Sequence, residues 1–373
     1  MKRLAFVLSF GVLIASCSKD KSSPSVANYT IPTTYNFSNV DYSNSQKLLL
    51  MADQLGAKIN TANTPNTPVS AQVLKDMFNN VNGYFNDSSL KLNSSGLSLA
   101  AYCSPAAKTD LLNYFDSIGI YSQSGAPALN GVAGIAASSA NASKKYLLSP
   151  NGVFYYQVVR KTYHGGILQY SINHYLTDSI ALGANSEHYW DLAFGLFSVP
   201  VNFPTSTTGL KYLSSYSNQV EAGLGSNEKL MNAFLKGRAA ITAKDNATVL
   251  AQASVIIRTL DSLDAAAVVQ EMKETDANIE AGDAVAAYGT LSESLGFARN
   301  LKYNTSSSRA ITDAQYAQLL ALYDNVNPNT PNLYNFVNVA GGSTKTQIEA
   351  KTDAIRQFIG KTYGFSAVQL AAQ

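Results

Sequence analysis

This 373-residue chain has three histidines, and all of them fall between residues 164 and 188. Imidazole and carboxylate groups bind first-row metals and move protons near neutral pH. His174 and Asp178 are four apart, so on a helix they share a face. Tyr163, Ile167 and Tyr170 precede His174 on the same stripe, which predicts that the stripe turns inward. In the next segment, Glu187, His188 and Asp191 fall on one side, while Phe194 and Phe197 share the side of Trp190. Facing helices of a bundle can assemble metal sites from such pairs. The window therefore offers His174, Asp178, Glu187, His188 and Asp191 as a candidate metal or ligand site, with a metal ion as one candidate occupant. The competing expectation is that Trp190 and Asp191 supply packing and hydrogen bonds in a partly buried turn, because buried polar groups need partners. No two histidines have the short His-x-x-x-His spacing of a strong metal motif.

Other chemical signatures are sparse. The sequence has no Gly-x-Ser-x-Gly, no Walker loop, no His-Glu-x-x-His, and no Gly-x-Gly-x-x-Gly after a strand. No catalytic residue is assigned. Carboxylate pairs that are distant in sequence remain open as a glycoside-cleaving arrangement. Lys236-Gly237-Arg238 is a small basic cluster in a helical segment. It is either a solvated or salt-bridged face, or an anion contact through Lys236 and Arg238. Of the two cysteines, Cys103 is expected to be buried and inert, since one thiol makes neither an internal disulfide nor a cysteine-rich metal site.

The charge balance narrows the function classes. There are 27 Lys+Arg against 25 Asp+Glu, and the excess lies in Lys2 and Arg3. Without residues 1–16 the chain carries 25 of each sign, which leaves no electrostatic footprint for nucleic acid. Charged residues are only 14%, and Asn, Ser, Thr and 22 Tyr take their place. Met1-Lys2-Arg3 is a basic start. The apolar run Leu4 to Ile14 is too short for a bilayer span, which needs about 20 residues. Ile14-Ala15-Ser16-Cys17 follows and resembles a bacterial lipobox. The resemblance implies cleavage before Cys17, lipidation of Cys17 with palmitate-type acyl chains, and attachment to a membrane outside the cytoplasm. Residues 1–16 then form the signal peptide. Residues 17–34, rich in Ser, Thr and Pro, form a lipidated tether. Ser18-Lys19-Asp20 is similar to the surface-export signal of Bacteroidota lipoproteins.

Residues 35–373 read as one all-α domain, a multi-helix bundle with two packed halves meeting near 198–210. Apolar positions recur at helical spacing: Leu48, Ala52, Leu55 and Ile59; Leu74, Met77, Phe78 and Val81 behind an N-cap at Ser70; Leu111, Phe115 and Ile118 behind Ser104-Pro105. Phe154 to Leu176 is a long amphipathic run that Gly165-Gly166 interrupts. Val249, Ala253, Ile256, Leu260 and Leu263 mark a helix reaching about Ile279, and Val285, Tyr288, Leu295 and Arg299 continue past Gly282. Thr344-x-x-Gln347 is a capping-box signal before Ile348, Ile355 and Ile359. Loops are expected at 61–69, 122–150, 198–210, 302–312 and 324–344, with no convincing strand pair.

Four stretches together resemble a group of Bacteroidota lipoproteins classed as a domain of unknown function, distantly similar to imelysin-like proteins. They are Tyr35-Asn-Phe-Ser-Asn-Val-Asp-Tyr42, Glu187-His-Tyr-Trp-Asp-Leu-Ala-Phe-Gly-Leu-Phe-Ser-Val-Pro200, Phe203-Pro204, and Met231-Asn-Ala-Phe-Leu-Lys-Gly-Arg-Ala-Ala240. The resemblance implies an all-α protein of the periplasm or outer membrane with a link to iron acquisition. The imelysin hallmark Gly-x-His-x-x-Glu is absent, so no metallopeptidase residue carries over. Asp116-Ser117-Ile118, Asp178-Ser179-Ile180 and Asp261-Ser262-Leu263 resemble the O-glycosylation sequon of Bacteroidota, which makes Ser117, Ser179 and Ser262 candidate acceptors.

Three functions follow as expectations. The first is a membrane-anchored binding or accessory protein, with iron, haem, another metal or a small ligand as cargo and an outer-membrane protein as partner. The second is a hydrolase acting on peptide or glycan. The third is a glycan-binding lipoprotein of a nutrient-uptake system, with tyrosines as stacking platforms.

Overall fold

A computed structural model describes residues 29–86, 90–181 and 183–372. The signal-peptide, Cys17 and most of the tether expectations lie outside them. The architecture is an all-α multi-helix bundle. Its elements in chain order are α1 (Ser43–Asn60), α2 (Ala71–Asn79), α3 (Pro105–Tyr121), strands β1 (Gly134–Ala137) and β2 (Lys145–Leu148), α4 (Tyr155–Tyr163), a π-helical turn (His164–Gln169), α5 (Tyr170–Ile180) and α6 (Ser186–Phe197). There follow α7 (Leu213–Gln219), α8 (Glu221–Leu224), α9 (Ser226–Thr242), α10 (Asn246–Glu280), α11 (Ala284–Tyr303), α12 (Asp313–Tyr323), α13 (Leu333–Val337), α14 (Lys345–Tyr363) and α15 (Ala367–Ala372).

The long helix α10 is the axis. From Leu263 to Val269 every residue is buried, so this stretch is enclosed all round rather than amphipathic. The run Ala265-Ala266-Ala267 lets neighbours approach closely. α10 packs against α9, α11 and α14 and also against α5, and one hydrophobic core runs from Tyr35 through α1 to Ile359. The core therefore passes through both sides of the 198–210 stretch.

Local signals placed the caps correctly. The Ser70 and Ser104 side chains accept from Val73 N and Ala107 N. Thr344 and Gln347 close a capping box, and Thr312 with Gln315 closes a second. α2 ends at a left-handed Asn80, which leaves Val81 47% exposed instead of on the buried stripe. The expected loop 122–150 contains an antiparallel pair, Gly134↔Leu148 to Ala137↔Lys145. Four residues per strand are too few for a period-two pattern to stand out.

Gly165-Gly166 does not break its helix. The chain continues through the π turn, and both glycines answer to close packing. A Cβ on Gly165 would stand 2.5 Å from Asn300 Cβ on α11, and one on Gly166 would stand 2.4 Å from Ala107 Cβ on α3. The π turn inserts about one extra residue and so rotates the following face by roughly 100°. Tyr163 and Ile167 are buried as expected, but past the turn Ile172, Leu176 and Ser179 take the inward stripe. His174 and Asp178 are turned out to solvent.

Candidate functional site

The His/carboxylate window does not gather into one site. His174 lines an open groove of about 360 Å³ between α5 and α10, with Tyr170 and Arg258. Asp178 is exposed, and His188 is half-exposed beside Tyr189. Among the described residues no three His, Cys, Asp or Glu side chains converge as metal ligands. The phase change at the π turn is one physical reason. The other is that Glu187 and Asp191 are both committed to Arg238.

Arg238 is 1% exposed, and all five of its N–H donors are taken. Nε donates to Asp191 Oδ1 at 2.9 Å. One terminal nitrogen meets Glu187 Oε1 at 2.9 Å and Thr242 Oγ1 at 2.9 Å. The other donates to Glu187 Oε2 at 3.1 Å and the Ser38 carbonyl at 3.3 Å. Tyr35 OH donates to the same Asp191 oxygen at 2.7 Å, its ring stacks on Phe194 at 3.6 Å, and Phe37 lies under the guanidinium. Trp190 Nε1 donates to the Phe234 carbonyl at 2.9 Å. The four stretches quoted above thus meet at one node, with Tyr35 N bonded to the Val201 carbonyl ahead of the cis Phe203-Pro204 bond. The node is a closed structural joint. The anion contact expected of Lys236 and Arg238 does not form there, since Arg238 has no donor left and Lys236 points to solvent.

Gly237 belongs to this joint, because a Cβ there would lie 1.9 Å from Trp190 Cζ2. Gly237→Ala is expected to lower stability by about 1–3 kcal/mol, the cost of overpacking a rigid ring. Urea denaturation measures it, and an unchanged midpoint would mean that Trp190 can move aside.

A different cavity has the open chemistry. It measures about 270 Å³ and lies among α1, α4 and the entry to α7. Its walls are Asp53, Arg160, Lys161, His164, Lys211, Tyr212 and Tyr216, among others. Behind it lies a buried ionisable floor. Lys161 Nζ sits 2.6 Å from Glu293 Oε2 and donates to Tyr216 OH at 2.7 Å. Tyr216 OH also reaches Glu271 Oε1 at 2.7 Å and Glu293 Oε2 at 3.0 Å. Glu271 is 1% exposed, and its Oε2 has no partner among the described residues. Burial pushes its carboxyl well above the ordinary range, Glu293 adds to this, and Lys161 opposes it. His164 is buried with Nδ1 unpartnered, edge-on to Tyr216 and Phe297. Burial and then Lys161 and Arg160 hold it well below the usual imidazole range, so it stays neutral.

The backbone around the cavity is unusual in two places. His164 opens the π turn, and Tyr212 adopts φ 49°, ψ −121°, which is unfavourable for a bulky side chain. The Tyr212 hydroxyl and Lys211 Nζ both hold Asp53, at 2.9 and 2.5 Å. Arg160 contacts the Tyr156 hydroxyl and ring, and among the described residues no carboxylate pairs with it. The arrangement can hold a small polar ligand and meet one negative charge.

Sequence patterns did not pick out Lys161, Tyr216, Glu271 or Glu293, which come from four separate helices. One signal was present: Asp264, Glu271 and Thr275 continue the apolar stripe that starts at Val249. Of the remaining expectations, Cys103 is buried, and burial pushes its thiol up to about 12. Ser179 is fully buried and donates to the Tyr175 and Ser186 carbonyls, so it offers no access for a sugar. Ser117 and Ser262 are half-buried within α3 and α10.

No curated protein and no solved structure matches this chain. Glu187, Asp191, Tyr216, Arg238, Glu271 and Glu293 fall within the stretch that does match a family model, and Tyr35, Lys161 and His164 complete both clusters from outside it. A DUF4856 domain, a domain of unknown function, is found over residues 182–366.

Proposed function

We propose that the chain is an exported, membrane-anchored binding protein that holds a small polar ligand with one anionic group in the cavity beside Lys161 and Arg160. The observation that carries this reading is the cavity itself: its rim has a cation with no carboxylate partner among the described residues, and its floor is a buried Lys161–Tyr216–Glu293–Glu271 network. The same geometry favours holding over hydrolysis. Glu271 and Glu293 stand behind Lys161 and Tyr216 and do not line the cavity, whereas a general acid must reach the bond it protonates. Anchoring rests on the lipobox at Cys17 and on the resemblance to Bacteroidota and imelysin-like exported proteins. Several acyl chains on one residue hold a protein stably to a bilayer. Among the described residues no helix is long and apolar enough to cross a membrane.

Two measurements test the reading together. In a native-like host, Cys17→Ser should move the protein from the membrane to the soluble fraction. Persistence of the variant in the membrane fraction would remove the anchor. A thermal-shift panel of small carboxylates and amino acids on the full chain should raise the melting temperature for at least one compound. Arg160→Gln should abolish the shift. A wild-type protein that no compound moves, or a shift unchanged in Arg160→Gln, would count against the cavity.

A further inference from the structure

A second pocket, which shares no lining residue with the first, is built around a cation that the fold leaves underused. Arg299 on α11 is 8% exposed and lines a cavity of about 330 Å³ between α3, α11, α12 and the loop before α13. Its guanidinium donates to the Tyr114 hydroxyl and, at 2.5 Å, to the Asn329 carbonyl. Among the described residues it has no carboxylate partner and no further acceptor. Arg238 gives the contrast within the same molecule: also buried, it has two carboxylates and a full set of five acceptors. Taking a charge out of water without a counter-ion is costly, and a ligand anion in the pocket would offset that cost.

We propose that this pocket binds the carboxylate of an acidic sugar, a hexuronate, with Arg299 as the carboxylate fork. Three observations select that class. The free edge of a guanidinium matches the two oxygens of a carboxylate or phosphate. The charged lining is Arg299 and Lys302 against Asp110, one net positive charge, which suits a monoanion better than a phosphate dianion. The remaining walls are aromatic faces with hydroxyl and amide edges. Tyr114 and Tyr155 lie 5.4 Å apart with their planes 35° from each other. Tyr316, Asn113 and Ser117 close the sides. Tyrosine faces pack on the C–H face of a sugar ring, while amide and hydroxyl edges pair with its hydroxyls. Asp110 is already fixed by the Tyr303 hydroxyl at 2.6 Å, so one of its oxygens is positioned as an acceptor before any ligand arrives.

The test is calorimetric titration of the full-length chain with glucuronate and galacturonate, with glucose and inorganic phosphate as the contrasting probes. At least one uronate should bind, glucose should bind at least about tenfold more weakly, and phosphate should not displace the uronate. Arg299→Lys keeps the charge but loses the fork and should weaken the uronate by about tenfold or more. Because Arg299 is buried, its variants are compared at matched melting behaviour. The rim variants Asn113→Ala and Tyr316→Leu provide a second route, and each should weaken binding by at least about threefold. Arg160→Gln, in the other cavity, should leave uronate binding unchanged, so failure here is separable from failure of the first cavity. The proposal is overturned if neither uronate binds at millimolar concentration, if glucose binds as tightly, if only phosphate binds, or if Arg299→Lys and both rim variants bind like wild type.

Discussion

Arg238→Met is expected to destabilise the protein by about 3–5 kcal/mol, the usual cost of removing one partner of a buried ion pair. Asp191 is 0% exposed and would be left with only the Tyr35 hydroxyl on Oδ1, its Oδ2 being already unpartnered. Even with Arg238 in place, burial pushes the Asp191 carboxyl up, against the Tyr35 bond and the guanidinium that lower it. Glu187 can turn to water, because its side chain is 38% exposed. The loss should therefore reside in the Asp191 half of the node. Arg238→Met/Asp191→Leu should recover much of the stability, since an apolar pair removes the stranded charge. Glu187→Gln alone should cost under about 1 kcal/mol, as a rim contact does. Urea denaturation with coincident fluorescence and circular-dichroism transitions gives the three values. A loss below about 1 kcal/mol in Arg238→Met, or a double variant no better than the single, would mean that the node is solvated and not a joint.

The helices were legible because their signals are local. Ser104-Pro105, Thr344-x-x-Gln347 and the stripe from Val249 to Leu263 each act within one or two turns, and each forms as read. The phase error at His174 came from a single non-local cause. Gly165 and Gly166 read as an interruption when the chain is taken alone, yet their missing Cβ atoms admit Asn300 and Ala107 from elsewhere in the sequence. The sites were hidden for the same reason. Lys161, Tyr216, Glu271 and Glu293 become neighbours only when α4, α7, α10 and α11 pack, and no spacing rule joins them. What the sequence did carry was the misfit. Glu271 and Arg299 occupy the buried stripes of strongly periodic helices, where an ionisable group needs an explanation that packing alone does not provide.

Those misfits predict an inverted pH profile. Asp264 and Glu271 are both 1% exposed, and both are pushed well above the ordinary carboxylate range, chiefly by burial. Asp261 repels Asp264 and is itself raised by burial. Asn300 donates a hydrogen bond to Asp264 at 3.4 Å, which opposes the rise but leaves its direction unchanged. His164 acts the other way, held below its ordinary 6.5. An acid whose pKa is raised by folding contributes stability that is complete below its unfolded value, here 3.8 or 4.5, and is lost as pH climbs through the folded value. A histidine whose pKa is lowered contributes above 6.5 and loses that contribution as pH falls. Above 6.5 the histidine term is therefore constant and only the acids act. From pH 6.5 upward stability should fall, by up to about 1.4 kcal/mol per pH unit for each carboxyl that the folded chain still holds protonated and the unfolded chain has released. Asp264→Asn should flatten the slope by one such proton, and His164→Phe should leave this upper window unchanged while removing the loss below 6.5. Chemical denaturation at half-unit pH intervals reads all three curves. A wild-type profile that is level or rising above pH 6.5 would place both carboxyls in their ionised form in the folded chain, and the buried floor would then be a charged cluster in place of a proton-holding one.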